Sequence, residues 1–107
     1  MSEFTRINIA TAYELWRKGD TAFADIRDAR SFAAGHIPGA VHLTDATLND
    51  FLAELEDEQP VVVVCYHGHS SQGAAQYLAH QGIEPVSSLD GGFTAWAHEH
   101  PDVVERN

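Results

Sequence analysis

The chain is poor in cysteine, in positive charge and in long apolar runs. Cys65 is its one cysteine. A lone thiol makes no intrachain disulfide and no multi-cysteine zinc site. A reducing cytoplasm is its natural home. Six Lys and Arg stand against 16 Asp and Glu, a net charge of −10. Such a surface repels phosphate backbones and anionic lipid, so neither nucleic acid nor membrane is expected as a partner. The basic residues are also unevenly placed: Arg6, Arg17, Lys18, Arg27 and Arg30 come early, and the next is Arg106. An anion-handling site in the middle of the chain must therefore use backbone N–H groups, histidine, or an arginine folded in from the first third. No apolar run approaches the ~18–20 residues of a membrane span. Glu3, Arg6, Glu14, Arg17, Lys18 and Asp20 leave no room for the apolar segment of a signal peptide.

What is present is ordinary globular composition. Hydrophobic residues make up 44% and charged residues 21%, which argues against disorder. The 107 residues are read as one domain over 1–107. A chain of this size buries about two-thirds of its unfolded surface, enough for a real core.

Short apolar runs alternate with helical patterns. Ile7-Asn8-Ile9 reads as a short edge strand. Thr11 to Lys18 carries Ala12, Leu15 and Trp16 at helical spacing, and Gly19 stops it. Residues 21–26 read as a strand and Ala29 to Ala34 as a short helix ended by Gly35. Val41 to Leu43 is a short strand. Residues 47–57 place Leu48, Phe51, Leu52 and Leu55 on one helical face, with Glu54, Glu56, Asp57 and Glu58 as its solvated end. Val61 to Val64 is a run of β-branched residues, as in a parallel strand buried on both faces. Gly73 to His80 is a helix closed by Gly82. Val86 to Leu89 is the last strand, Gly91-Gly92 a hinge, and Phe93, Trp96 and Ala97 mark a closing helix whose Trp96 packs on the sheet. This alternation predicts an α/β fold with an open, mainly parallel sheet flanked by helices.

The strongest chemical signal is Cys65-Tyr66-His67-Gly68-His69-Ser70-Ser71, the turn after the valine strand. A buried strand ends on a thiol, and a helix begins a few residues later. A loop of this kind can aim successive N–H groups inward as an anion-binding nest, with the helix dipole added. Both lower a thiol's pKa, and the thiolate is the nucleophile. Gly68 permits positive φ, and Ser70 or Ser71 can cap the helix. An inert buried cysteine would not call for such a polar, permissive segment after it. A Cys-x5-Arg phosphatase loop needs arginine at its seventh position to clamp phosphoryl oxygens; Ser71 stands there.

Three blocks together resemble the rhodanese family. The loop Cys65 to Ser71 is similar to the short catalytic loop of single-domain rhodaneses. Asp25-Ile26-Arg27-Asp28-Ala29-Arg30-Ser31-Phe32, followed by Gly35-His36-Ile37-Pro38-Gly39-Ala40, resembles the N-terminal signature, and Leu89-Asp90-Gly91-Gly92-Phe93-Thr94-Ala95-Trp96 resembles the C-terminal one. They stand in family order and span nearly the whole chain. The resemblance implies a rhodanese-like sheet of about five strands. It also implies a thiosulfate:cyanide or thiosulfate:thiol sulfurtransferase. Cys65 would attack the sulfane sulfur of a small anionic donor, release sulfite, and carry a persulfide to cyanide or to a thiol acceptor such as thioredoxin. The N–H groups of Tyr66, His67, Gly68, His69, Ser70 and Ser71 would hold the persulfide anion. No metal and no organic cofactor is implied.

Many family members carry Lys or Arg in or just after the loop, and this chain has Gln72 there. His67 and His69 supply charge when protonated. Arg27 is another candidate for holding the donor, because loops after parallel strands gather at one edge; an ion pair with Asp25 or Asp28 is its alternative use. His67-x-His69 and His98-x-His100 are metal-like pairs, but each would need further ligands from elsewhere, so no metal site is expected. His36 and His42 are read as structural, and Asp90 as a helix-start acceptor. The competing function is a rhodanese-like binding or regulatory module without turnover, a class that often lacks the cysteine.

Overall fold

The computed structural model describes residues 3–107. Ten elements alternate: β1 (Thr5–Ile7), α1 (Ile9–Lys18), β2 (Ala22–Asp25), α2 (Ala29–Ala34), β3 (Val41–His42), α3 (Leu48–Glu54), β4 (Val61–Val64), α4 (Ser70–His80), β5 (Val86–Leu89) and α5 (Gly92–Glu99). The five strands form one sheet in the order β1-β5-β4-β2-β3, and every pairing is parallel. This is the α/β sheet the alternation predicts.

The valine strand lies in the middle of the sheet, with all four side chains buried. Its period of two splits them between two cores. Val61 and Val63 pack with Phe51, Ala75, Leu78 and Ala79 on the α3/α4 face. Val62 and Val64 pack with Ala12, Phe23, Ile37, Leu89 and Trp96 on the α1/α5 face. Trp96 is fully buried there, and its indole N–H donates to the Val103 carbonyl at 2.8 Å.

The strand order positions the site. After β2 the chain runs through Ile37 on the α1/α5 face to β3 at one edge. After β4 it runs through α4 on the opposite face to β5 on the other side. Connections that leave adjacent strands in opposite directions open a crevice at their C-terminal ends. The residues there are Ile26-Arg27 after β2 and Cys65-Tyr66 after β4.

Several boundaries differ from the sequence reading. β1 ends at Ile7 and α1 begins at Ile9, because the Asn8 side chain accepts from Thr11 N–H at 2.8 Å and caps the helix. α3 ends at Glu54, so Glu56 to Glu58 lie beyond it; carboxylates at a helix C-terminus oppose its dipole. α4 begins at Ser70, three residues before Gly73. Its end is as expected in kind: Gln81 is the cap residue, and the Gly82 and Ile83 N–H groups turn back on Ala79 and Leu78. Gly91 and Gly92 are not a hinge but the N-cap and first residue of α5. Asp90 does not cap that helix either; it accepts from Arg6 Nε at 2.8 Å.

Candidate active site

Cys65 follows the central strand directly and is 3% exposed. The chain after it turns so that Gly68 N–H and Ser71 N–H donate to Sγ at 3.1 and 3.2 Å. The Ser71 hydroxyl lies 3.2 Å from Sγ, and the His67 N–H adds to the same field. Gly68 takes φ +94° at the turn's tightest point, where a Cβ would meet the Gly91 nitrogen at 2.8 Å. Of the six loop N–H groups expected to face inward, Gly68 and Ser71 donate to Sγ and His67 contributes, while those of Tyr66, His69 and Ser70 make no such bond to it. Burial pushes the Cys65 thiol up, but the Ser71 hydroxyl and the Ser71, Gly68 and His67 amides outweigh it and hold the thiol below its ordinary value.

Ser70 and Ser71 do not cap α4: His69 is its cap residue and no side-chain cap bond forms. The Ser71 side chain is turned inward instead, to Sγ and to Ser88 Oγ at 2.7 Å. Gln72 lies in the first turn of α4, and its amide donates back to the Gly68 carbonyl at 2.9 Å. Gln72 thus closes the loop on itself.

Three other elements hold the loop. The first turn of α5 donates to it: Phe93 N–H to the Cys65 carbonyl at 2.8 Å and Thr94 N–H to the Tyr66 carbonyl at 3.1 Å. The β2–α2 side receives the Tyr66 hydroxyl, which donates to Asp28 and lies 2.9 Å from Ser31 Oγ. Asp28 also caps α2 through Ser31, whose hydroxyl and amide hold that carboxyl below the usual range. β5 supplies Ser88. A shallow cavity of about 140 Å³ opens over the sulfur, lined by Cys65, Tyr66, His67, His69 and Ser70. His67 and His69 stand exposed at its mouth.

Arg27 is buried, and its guanidinium is engaged by Asp25. Nε and Nη2 donate to the carboxylate at 2.8–3.1 Å, and Nη2 also donates to the Gly35 carbonyl at 2.6 Å. Of the two roles left open by the sequence, the ion pair is the one formed, with Asp25 rather than Asp28. Arg27 approaches the loop through the Tyr66 ring, 5.7 Å from its centroid, and lines a different cavity with Phe93 and Arg106. His36 and His42 are structural: His36 Nδ1 meets the Phe32 carbonyl at 2.7 Å, and His42 Nε2 the Arg27 carbonyl at 2.6 Å. His98 and His100 lie apart from the loop: His98 neighbours Glu99 and His100 stacks on Tyr13.

The sequence reading missed Ser88 and took the Gly91-Gly92 pair for a hinge rather than for the close approach of α5 to the loop. Two adjacent serines in an otherwise apolar strand, Ser87-Ser88, were the available signal for the first.

Comparison with known proteins agrees with this geometry. The rhodanese-like domain family matches residues 9–99. The thiosulfate sulfurtransferase GlpE of Pseudoalteromonas translucida (strain TAC 125) is 53% identical over 103 residues, covering 96% of this chain and 98% of that protein. Among solved structures, a thiosulfate sulfurtransferase from Pseudomonas aeruginosa superposes with a TM-score of 0.82 at 24% identity; the match covers all of this chain and 20% of that one. A protein from Rhodopseudomonas palustris CGA009, described as a possible tyrosine phosphatase, superposes with a TM-score of 0.75 at 27% identity, over 90% of this chain and 81% of that one. With a buried thiol that accepts from the Gly68 and Ser71 N–H groups at the sheet's crevice, and with this family match over most of its length, the chain belongs to the rhodanese-like domain family.

Proposed function

We propose that the chain is a thiosulfate sulfurtransferase with Cys65 as its nucleophile. The observation that carries this is the pair of N–H groups, from Gly68 and Ser71, that donate to Sγ, with the Ser71 hydroxyl 3.2 Å away. They favour the thiolate, which is the attacking form. The thiolate attacks the outer sulfur of thiosulfate; an S–S bond forms to Cys65, the sulfur–sulfite bond breaks, and sulfite leaves with the electron pair. Cys65 then carries a persulfide anion, held by the loop N–H groups of residues 66–71. Cyanide or a thiolate attacks the terminal sulfur, and the Cys65 thiolate is regenerated. This two-step covalent cycle needs no metal and no organic cofactor. The exposure of Tyr66, His67, His69 and Ser70 around the cavity supports a protein thiol such as thioredoxin as an acceptor beside cyanide. The lone thiol fits a reducing cytoplasm.

Direct donor binding falls to the loop N–H groups, with His67 and His69 at the mouth. Gln72 supplies no charge, and Arg27 is already matched by Asp25.

A phosphatase reading is opposed by Ser71. A phosphoryl dianion needs a bidentate cation at that position, and here a buried hydroxyl points at the sulfur. A module without turnover would have no use for a thiol activated by these donors.

The test is intact mass after incubation with thiosulfate and other donors. Wild type gains one sulfur and loses it to cyanide, and Cys65→Ser gains none. A wild-type chain that stays unmodified with every donor overturns the proposal.

A further inference from the structure

Ser88 lies on β5 beside the central strand, paired in register with Val63. Its side chain is fully buried, as is that of Ser71. The two hydroxyls are 2.7 Å apart, and Ser71 Oγ is 3.2 Å from Cys65 Sγ. Among the described residues, Ser71 is the side-chain partner that Ser88 Oγ has. A buried hydroxyl in a strand packed against valines costs free energy unless it is bonded.

Resting on the sulfurtransferase reading, we propose that Ser88 is a positioning residue: its hydroxyl directs the Ser71 hydroxyl proton onto the Cys65 thiolate. Each serine has one proton to give. When Sγ is a thiolate it only accepts. Ser71 then donates to sulfur, Ser88 donates to Ser71, and both buried protons are placed. When Sγ is protonated this order fails. Either the thiol donates to Ser71, and whichever way the two serines then pair, one serine proton is left in the core without an acceptor. Or Ser71 donates to a neutral sulfur, a weak acceptor. In both arrangements the thiol form forfeits a good hydrogen bond that the thiolate form keeps. Ser88 therefore favours the reactive form without touching the sulfur or the substrate.

The charged and titratable groups around Sγ are His67 and His69 on the loop and Asp28 and Arg27 through Tyr66. Asp90 with Arg6 stands at the β5–α5 corner. The first turn of α4 carries none. Ser88→Ala changes none of these, so its effect reads the hydroxyl alone.

The experiment measures the rate of Cys65 alkylation by iodoacetamide against pH, which reports the thiol whether or not the chain transfers sulfur. In Ser88→Ala the midpoint rises by about half to one pH unit, as expected for one lost hydrogen bond to the ionised form. Single-turnover reaction with thiosulfate slows several-fold below that midpoint and recovers above it. In a Ser71→Ala background the second substitution moves the midpoint no further, because the relay is already cut. Ser88→Thr keeps the hydroxyl and Ser88→Val, of nearly equal volume, lacks it. If Ser88→Ala loses its fold, that pair repeats the comparison, with the midpoint raised in Val and near wild type in Thr. A purely structural Ser88 would lower the melting temperature and leave the midpoint in place. An unmoved midpoint in a folded variant lacking the hydroxyl, or an equal shift with Ser71 already removed, overturns the proposal.

Discussion

Gly92 and Cys65 are in backbone contact: a Cβ on Gly92 would stand 2.5 Å from the Cys65 carbonyl oxygen. Gly92 also has φ +60°, in the region that L side chains avoid. The glycine lets the first turn of α5 come close enough for Phe93 and Thr94 to donate to the Cys65 and Tyr66 carbonyls. The Gly68 and Ser71 N–H groups face the sulfur on one side while the Cys65 and Tyr66 carbonyls are held by the first turn of α5 on the other.

Gly92→Ala is expected to push α5 off the loop. Overpacking of this kind costs roughly 1–3 kcal/mol, and the positive φ adds to it. The melting temperature should fall, and sulfur transfer should fall more than the folded fraction does. Wild-type transfer in Gly92→Ala would show that the loop does not depend on this contact.

Cys65→Ser should abolish sulfur transfer and keep the fold, since serine is close in size and a far poorer nucleophile toward sulfur. Its stability should also differ from wild type with pH. The folded thiol is held below its unfolded value. The stability this contributes is fully present above the unfolded thiol pKa, about 8.5, and is lost as pH falls through the folded value. Denaturant titrations should therefore show wild type gaining on Cys65→Ser as pH rises through that window. A constant difference across it would argue that the thiol is not shifted.

Arg27→Ala leaves the buried Asp25 carboxylate without its cation. Removing one partner of a buried pair typically costs about 3–5 kcal/mol. The variant should melt well below wild type, with the KM for thiosulfate changed little in the fraction that folds. A sharp rise in KM at unchanged melting temperature would instead assign Arg27 to the donor.

Gln72→Lys puts a positive charge in the first turn of α4, where the present side chain already reaches the loop. The chain carries −10 and thiosulfate is a dianion, so encounter is opposed by long-range repulsion. A lysine here adds attraction of about 1 kcal/mol. The KM should fall several-fold with little change in kcat, because the charge helps donor and transition state alike. Added salt should shrink the gain. An unchanged KM would mean that the new ammonium points away from the cavity.

The amino-acid sequence alone determined the elements whose ends carry strong local signals. β4, β5 and α2 have the expected bounds because a valine run, a short strand between Pro85 and the Asp90-Gly91-Gly92 turn, and a short helix stopped by Gly35 each punctuate themselves. Part of the nest around Cys65 was also legible, since a thiol followed by a permissive glycine and a helix start is a local pattern, and Gly68 and Ser71 do donate to the sulfur. Nothing local says that Ser88 stands behind Ser71, or chooses Asp25 over Asp28 and over the donor for Arg27's guanidinium. Nor does it say that Gly92 touches Cys65. Those relations follow from the parallel pairing of β4 with β5 and β2. That pairing brings distant segments to one sheet edge, and side-chain direction and burial there choose among partners that sequence spacing leaves equivalent. The same cause turned Ser71 from a helix cap into a donor to sulfur: once α4 begins at Ser70, its second residue faces the core.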